Sequence, residues 1–237
     1  MNVLILGAGG SIGAALVEEY LADDRVELVI AIHRQAVSSV HERICWLSAD
    51  LGDASSIDAC AHKIGELDVP IHRWVCCSGY LHGDAGGPEK TLRKLNYDKL
   101  GTDMSVNALG PLVLFSKLAT ALKKVEDFRG VFLSAQVGSI EDNQLGGWYG
   151  YRMSKAALNM GIKCLAIEMR SWRTQPIVIA VHPGTTTSAL SKPFTQSRAA
   201  TLQRPDACAQ RLYRLAESVT VEQSGQFLKL DGSTLPW

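Results

Sequence analysis

The sequence predicts an α/β fold: one parallel sheet of seven strands, covered by helices on both faces. Three observations carry this. Seven short apolar runs recur along the chain, helical patterns alternate with them, and the first run passes through a glycine-rich turn straight into a helix. At 237 residues the chain suits one domain spanning 1–237 better than two, because α/β folds of this length close around one core.

In chain order, "NVLIL" is the first strand and leads to a helix over 11–22. "ELVIAI" and "RICWL" are the second and third strands, followed by a helix over 54–66. "RWVCC" is the fourth strand and precedes helices over 91–106 and 110–124. "GVFLS" is the fifth strand, followed by a helix over 150–172. "PIVIAVH" is the sixth, followed by a helix over 206–217, and "GQFLKL" is the seventh. The turn-rich stretches are "HGDAGGP" and the long segment from Pro183 to about Pro205. Long loops at strand ends usually carry function in such folds, and right-handed crossovers gather ligands at the carboxyl ends of the strands.

Lys plus Arg and Asp plus Glu number 24 each, so no net charge draws the chain to nucleic acid or an anionic membrane, and a small molecule is the expected partner. The start "MNVLILGAGG" lacks the basic residues and long apolar core of a signal peptide, and no apolar run approaches membrane-spanning length. The expected location is cytoplasmic. The six cysteines, Cys45, Cys60, Cys76, Cys77, Cys164 and Cys208, show no CxxC spacing; they are expected to be reduced, mostly core residues, and no metal site is expected.

The first strand enters "GAGGSIG", residues 7–13. Glycines here let the backbone turn sharply and approach a pyrophosphate, which the free N–H groups of the following helix hold. The GxGxxG spacing fails at Ile12. As GxxxGxG the match is Gly7, Ser11 in the second glycine's place, and Gly13, with Gly9 and Gly10 inside the turn. This is a Rossmann-type, doubly wound arrangement. At the end of the second strand, where NAD-specific sites place Asp or Glu, stand His33 and Arg34, so NADP (NADPH) is favoured over NAD.

In "GGWYGYRMSKAALN", residues four apart share a helix face, so Tyr151 meets Lys155, whereas the fourth neighbour of Tyr149 is Met153. A lysine ammonium at ~4 Å in an effective dielectric of ~20 contributes on the order of 4 kcal/mol, which lowers a phenol pKa by nearly three units.

A glycine-rich turn at the start and Tyr151-xxx-Lys155 far downstream resemble the short-chain dehydrogenase/reductase superfamily, over essentially the whole chain. The wording around Tyr151, "GSIEDN" and the tail is closest to its C-factor-like and carbonyl-reductase-like branch. The resemblance implies an NAD(P)H-dependent oxidoreductase interconverting a ketone or aldehyde and an alcohol, with a nucleotide-binding signalling protein on the same scaffold as the alternative. It places Asp50 and Leu51 of "SADLGD" beside the adenine, Ser78 and Gly79 of "CCSG" after the fourth strand, and Asn107 of "VNALGP" in a catalytic tetrad. It places Pro183, Gly184, Thr186 and Ser188 of "HPGTTTSAL" beside the nicotinamide. In that family the tyrosine gives its proton to the carbonyl oxygen, the lysine lowers the phenol pKa and holds ribose, and the asparagine keeps a relay water. The family's serine is the second of SSxxG, but "SAQVG" puts Ala135 there, which leaves Ser134 or Ser139 to take the role, or the tetrad without a serine; by strand alternation Ser134 faces away if Ala135 faces the site, unless the strand has already ended. Residues 185–203 are expected to form a lid, with Trp148 and Tyr80 as pocket walls, and the helices before Asn107 and after Tyr151 are where related proteins form a homodimer.

Overall fold

The computed structural model describes residues 1–35, 40–195 and 202–237. Its strands are β1 (Asn2–Leu6), β2 (Leu28–His33), β3 (Ile44–Ser48), β4 (Arg73–Cys76), β5 (Arg129–Leu133), β6 (Ile177–His182) and β7 (Phe227–Lys229). They form one seven-stranded sheet in the order β3-β2-β1-β4-β5-β6-β7, with every neighbouring pair parallel. All seven carboxyl ends therefore lie along one edge, and the order reverses between β1 and β4, where this class of sheet opens a crevice.

The helices are α1 (Ser11–Leu21), α2 (Ala54–Glu66), α3 (Tyr97–Met104), α4 (Gly110–Leu122), α5 (Tyr149–Met169) and α6 (Pro205–Ser218). Side chains on a strand alternate between faces, and β1 divides accordingly. Leu4 and Leu6 join Ile57, Leu114, Phe115, Leu158 and Ile162 under α2, α4 and α5. Val3 and Ile5 join Leu16, Tyr20, Cys208 and Leu212 under α1 and α6. In β6, Val178 and Ala180 take the first face and Ile177, Ile179 and Val181 the second. Such strands are apolar on both faces, which is why they read as unbroken apolar runs.

Two sequence expectations are corrected. The helix expected over 91–106 starts later: Leu92–Lys94 is a single 3-10 turn, and α3 begins at Tyr97 because the Asn96 side chain accepts from Lys99 N at 3.0 Å and caps it. The π-helical segment Ser105–Leu109 then joins α3 to α4. The resulting continuous helix, Tyr97–Leu122, has 26 residues and a mean hydropathy of 1.3, long and apolar enough by composition to cross a membrane, where the sequence had suggested no such run. Its inner residues Leu114, Phe115, Leu118 and Leu122 pack into the core, as core helices of this composition do. The cysteines are all free, with Cys60, Cys76 and Cys208 buried and Cys164 exposed.

Away from the carboxyl edge, buried Arg73 ties β4 to α6. Its Nε donates to Glu217 at 2.7 Å, its Nη1 to the Asp127 carbonyl at 2.7 Å and its Nη2 to the Asp127 carboxylate at 3.0 Å. Arg73→Ala leaves Glu217 without that partner inside the protein, and is expected to lower unfolding stability by about 3 kcal/mol, because breaking a buried pair costs far more than an exposed one. Arg204→Ala, which breaks an exposed pair with Asp206, should cost under about 1 kcal/mol. Urea denaturation midpoints of the two variants check this.

Candidate active site

Three segments converge on the carboxyl edge of the sheet. The first is the glycine turn after β1. Gly7 takes φ +85°, and a Cβ there would lie 2.7 Å from Ser78 N. A Cβ on Gly13 would lie 2.2 Å from the Gly7 carbonyl oxygen. Neither position tolerates a side chain, since the obstacle in each case is backbone. Gly9, Gly10 and Ser11 are exposed. α1 has no side-chain cap and no acidic residue in its first turn, so the N–H groups of Ser11, Ile12 and Gly13 are left for an anion. This cradle fits a dinucleotide's pyrophosphate.

His33 closes the same corner. Its imidazole lies over Gly9, where a Cβ would come within 2.4 Å of the ring, and its buried Nδ1 has no hydrogen-bond partner among the described residues. Arg34 follows, exposed at the end of β2. Asp50 is also exposed, and its carboxylate accepts from Gly52 N at 2.8 Å, while Leu51 is buried beneath it.

The second segment follows β4. Ser78 Oγ lies 3.1 Å from Cys76 Sγ, and Gly79 faces both Asn107 and Lys155: a Cβ on it would sit 3.8 Å from Asn107 Oδ1 and 3.9 Å from Lys155 Nζ. Asn107 clamps the next residue, accepting from Tyr80 N at 2.7 Å and donating to the Tyr80 carbonyl at 2.8 Å. Its amide also donates to Ser154 Oγ at 3.0 Å. The π-helical segment carries Asn107, so the irregular turn sets the angle at which this amide meets the loop.

The third segment is the start of α5. Tyr151 and Lys155 share a helix face, and both are buried, at 8% and 2% exposure. Lys155 Nζ donates to the Leu133 carbonyl at 2.9 Å and lies 5.9 Å from the Tyr151 ring centre. The electrostatics differ from the sequence expectation of a phenol lowered by its lysine. Burial, with the Asp103 charge second, pushes the Tyr151 phenol up to about 12. Burial likewise pushes the Lys155 ammonium down to about 8. Desolvation outweighs the pairwise attraction here because the ammonium is held by a strand carbonyl rather than by the phenol. Tyr149 stands one residue before Gly150, and the fourth neighbour of Tyr149, Met153, is 52% exposed.

The two serines are each engaged by another group. Ser134 Oγ donates to Asn159 Oδ1 at 2.6 Å. Ser139 Oγ donates to the Trp237 carbonyl at 3.1 Å and accepts from Asp142 N at 3.0 Å. Each is buried and each hydroxyl proton is engaged in a structural bond.

The lid expected over 185–203 is described as far as Thr195 and again from Leu202; residues 196–201 lie outside the described part. Its ends are stitched together, with Thr187 N donating to the Gln203 carbonyl at 2.9 Å and Gln203 N to the Thr185 carbonyl at 3.1 Å. Gln203 also bonds the Pro183 carbonyl at 3.0 Å and Thr186 Oγ1 at 3.3 Å. Gly184 has φ +73°, and Ser188 pairs with Ser191. The lid meets Trp148, whose ring centre lies 5.1 Å from that of Phe194 and 6.3 Å from that of Tyr151. His82 lies 5.7 Å from Phe194 on the same side. Sequence reasoning did not single out His82, Phe194, Ser154 or the buried charges Glu89, Lys99 and Asp103. The spacing of Lys99 and Asp103 was readable as a helical pair, but nothing in it distinguishes a buried pair from a solvated one.

Comparison with known proteins places the chain among relatives of the same fold. C-signal of Myxococcus xanthus is 31% identical over 146 residues, 62% of this chain and 83% of that protein. The 1-hydroxy-2-glutathionyl-2-methyl-3-butene dehydrogenase of Rhodococcus sp. (strain AD45) is 29% identical over 188 residues, 79% of this chain and 78% of the other. Among solved structures, the carbonyl reductase Sniffer of D. melanogaster superposes with a TM-score of 0.87 at 21% identity, covering 100% of this chain and 99% of that one. An NADPH-bound carbonyl reductase from chicken fatty liver superposes with a TM-score of 0.85 at 22% identity, covering 100% and 94%. These two likenesses show the fold. The family described as short chain dehydrogenase matches residues 1–199, and the chain belongs to this family of NAD(P)-dependent oxidoreductases.

Proposed function

We propose that this chain reduces a ketone or aldehyde to the alcohol, with NADPH as its cofactor. The observation that carries this is the meeting of Tyr151, Lys155 and Asn107 at the ends of β4 and β5, beside a glycine turn with an uncapped helix. NADPH, when bound, supplies the hydride. Tyr151 gives its phenolic proton to the carbonyl oxygen, and a phenol held near 12 is protonated at neutral pH and available as an acid. The phenolate left behind is stabilised by the Lys155 ammonium, fixed by its bond to Leu133. Asn107 holds the Tyr80 backbone against α5 and so keeps the loop after β4 on the site.

Arg34, exposed at the end of β2, would take the 2′-phosphate, with His33 beside it. NADP in a superposable short-chain dehydrogenase/reductase from Burkholderia multivorans and NADPH in the chicken enzyme support this preference. Trp148, Phe194 and His82 form an aromatic wall beside Tyr151, which suits an apolar or aromatic carbonyl compound. Steady-state NADPH oxidation against a panel of such carbonyls tests the reading. The likeness to C-signal, together with serines engaged elsewhere, favours a second reading as a nucleotide-binding regulatory protein; binding without turnover on the whole panel would select it.

Tyr151→Phe removes one oxygen and keeps the ring, so NADPH affinity should persist while turnover falls by at least 10²–10⁴-fold, the usual worth of general acid catalysis, an estimate of roughly that order. Tyr149→Phe should leave the chemical step nearly intact. A collapse in the second with activity in the first would reverse the assignment.

Arg34→Asp should move the cofactor preference from NADPH to NADH, because it removes the cation and adds an acceptor for ribose hydroxyls. An unchanged ratio of kcat/KM for the two cofactors would mean that another group reads the phosphate.

Ser134→Ala and Ser139→Ala should each keep turnover within ~10-fold, well short of the ~10²–10³ lost with an oxyanion donor. Ser134→Ala should instead lower stability by about 1–3 kcal/mol through the stranded Asn159. Rates and melting curves on the same preparations separate the two effects.

A further inference from the structure

We propose that Glu89, Asp103 and Lys99 form a buried charged support under the first turn of α5 that positions Tyr151 as a proton donor. This rests on Tyr151 being the acid of the reaction. α5 starts awkwardly: Gly146, Gly147 and Trp148 all have positive φ, at 61°, 62° and 50°, and Trp148 offers no side-chain cap. A non-glycine residue in this region costs about 1–2 kcal/mol. The segment after β4 holds the turn from outside. The Glu89 carbonyl accepts from Trp148 N at 2.5 Å, and the Glu89 carboxylate accepts from Gly150 N at 3.1 Å, which makes it a cap supplied by a distant residue.

Asp103 comes from α3 on the other side. It is fully buried, lies 2.5 Å from Lys99 Nζ, and presses so closely on the turn that a Cβ on Gly150 would be 2.1 Å from its Oδ2. Lys99 Nζ in turn sits 5.0 Å over the Tyr80 ring. The cluster thus sets two carboxylates against one ammonium, at the positive end of α5, and burial, with the Glu89 charge beside it, pushes the Asp103 carboxyl above its ordinary value against the pull of Lys99. One oxygen of each acid, Glu89 Oε1 and Asp103 Oδ1, is buried without a partner. Such expense is hard to account for by stability alone, because apolar residues of similar volume would serve a core at least as well.

The consequence falls on the phenol next along the helix. The ionisable groups on the elements around Tyr151 are Lys155 on α5, Asp103 and Lys99 on α3, Glu89, Tyr80 and His82 after β4, and Cys76 and Cys77 at its end. Arg152 turns away to the Gly147 and Val137 carbonyls. Of these, Asp103 is the one that raises the phenol, after burial itself. At neutral pH the phenol is protonated with or without that charge, so what the cluster gives Tyr151 is a fixed first turn of α5, held by the Glu89 carboxylate through Gly150 N.

The test reads the phenol directly, in the ligand-free protein, by NMR of ¹³C-tyrosine with the Tyr151 signal assigned from Tyr151→Phe. Asp103→Asn should bring its ionisation down by about one pH unit. Because that variant takes from Lys99 its buried carboxylate partner, the paired replacement Lys99→Met with Asp103→Leu is made as well, and a smaller downward shift is expected because a cation is removed with the anion. Glu89→Ala should lower kcat about tenfold with KM for NADPH unchanged, and Glu89→Gln, which keeps an acceptor for Gly150, should restore it. An unmoved phenol titration in a folded variant, or a wild-type kcat in Glu89→Ala, would overturn the proposal. Full turnover in Tyr151→Phe would instead overturn the assignment of the acid, whatever the titration shows.

Discussion

The bond from Lys155 Nζ to the Leu133 carbonyl is the contact on which the rest of the site depends. It ties α5 to the end of β5 and puts an ammonium where the sheet has stopped pairing its carbonyls. Burial makes that charge costly, which is why the lysine is pushed down to about 8. At about 8 the lysine is still mostly charged at neutral pH, and the Leu133 carbonyl accepts one of its protons. Tyr151, one turn earlier on the same helix, is thereby fixed in height above the sheet. Gly138 enters here too: a Cβ on it would meet Lys155 Cβ at 2.7 Å, so the 3-10 turn after β5 must be bare for α5 to come so close.

A second constraint, steric rather than electrostatic, governs the opposite wall. Gly7 and Gly13 are locked against backbone, and Gly9 against His33, so the turn after β1 has one shape. The same close approach that excludes side chains exposes the first N–H groups of α1. Lysine at one wall and helix dipole at the other present positive charge to the crevice between them, a field suited to an anionic dinucleotide.

Much of this was legible in sequence because it obeys local rules. Strands buried on both faces announce themselves as apolar runs, and the one-turn spacing of Tyr151 and Lys155 follows from helical geometry. Helix α3 was misjudged in its first residues because Asn96, a cap, lies within an otherwise helical pattern. The serines illustrate a different limit. Sequence spacing offers Ser134 and Ser139 as alternatives for one role, but only packing shows that Asn159 Oδ1 and the Trp237 carbonyl take their protons. The balance between burial and attraction at Tyr151 was misjudged for the same reason: a pairwise estimate contains the lysine but not the desolvation.

Glu89, Lys99 and Asp103 mark where local rules end. Glu89 sits in a turn-rich stretch and Lys99 and Asp103 in a helix whose first residues are polar, and each reads alone as a solvated charge. Asp103 can lie against α5 because Gly150 has no side chain to keep it away. That glycine belongs to the motif that carries Tyr151, so the catalytic helix and its support specify one another across a long sequence separation. Any residue larger than glycine at 150 would displace Asp103, and with it the charge nearest the start of α5. The spacing Gly150-Tyr151-xxx-Lys155 therefore encodes more than a tyrosine and a lysine on one face: its first member leaves room for Asp103 against the turn that carries the second.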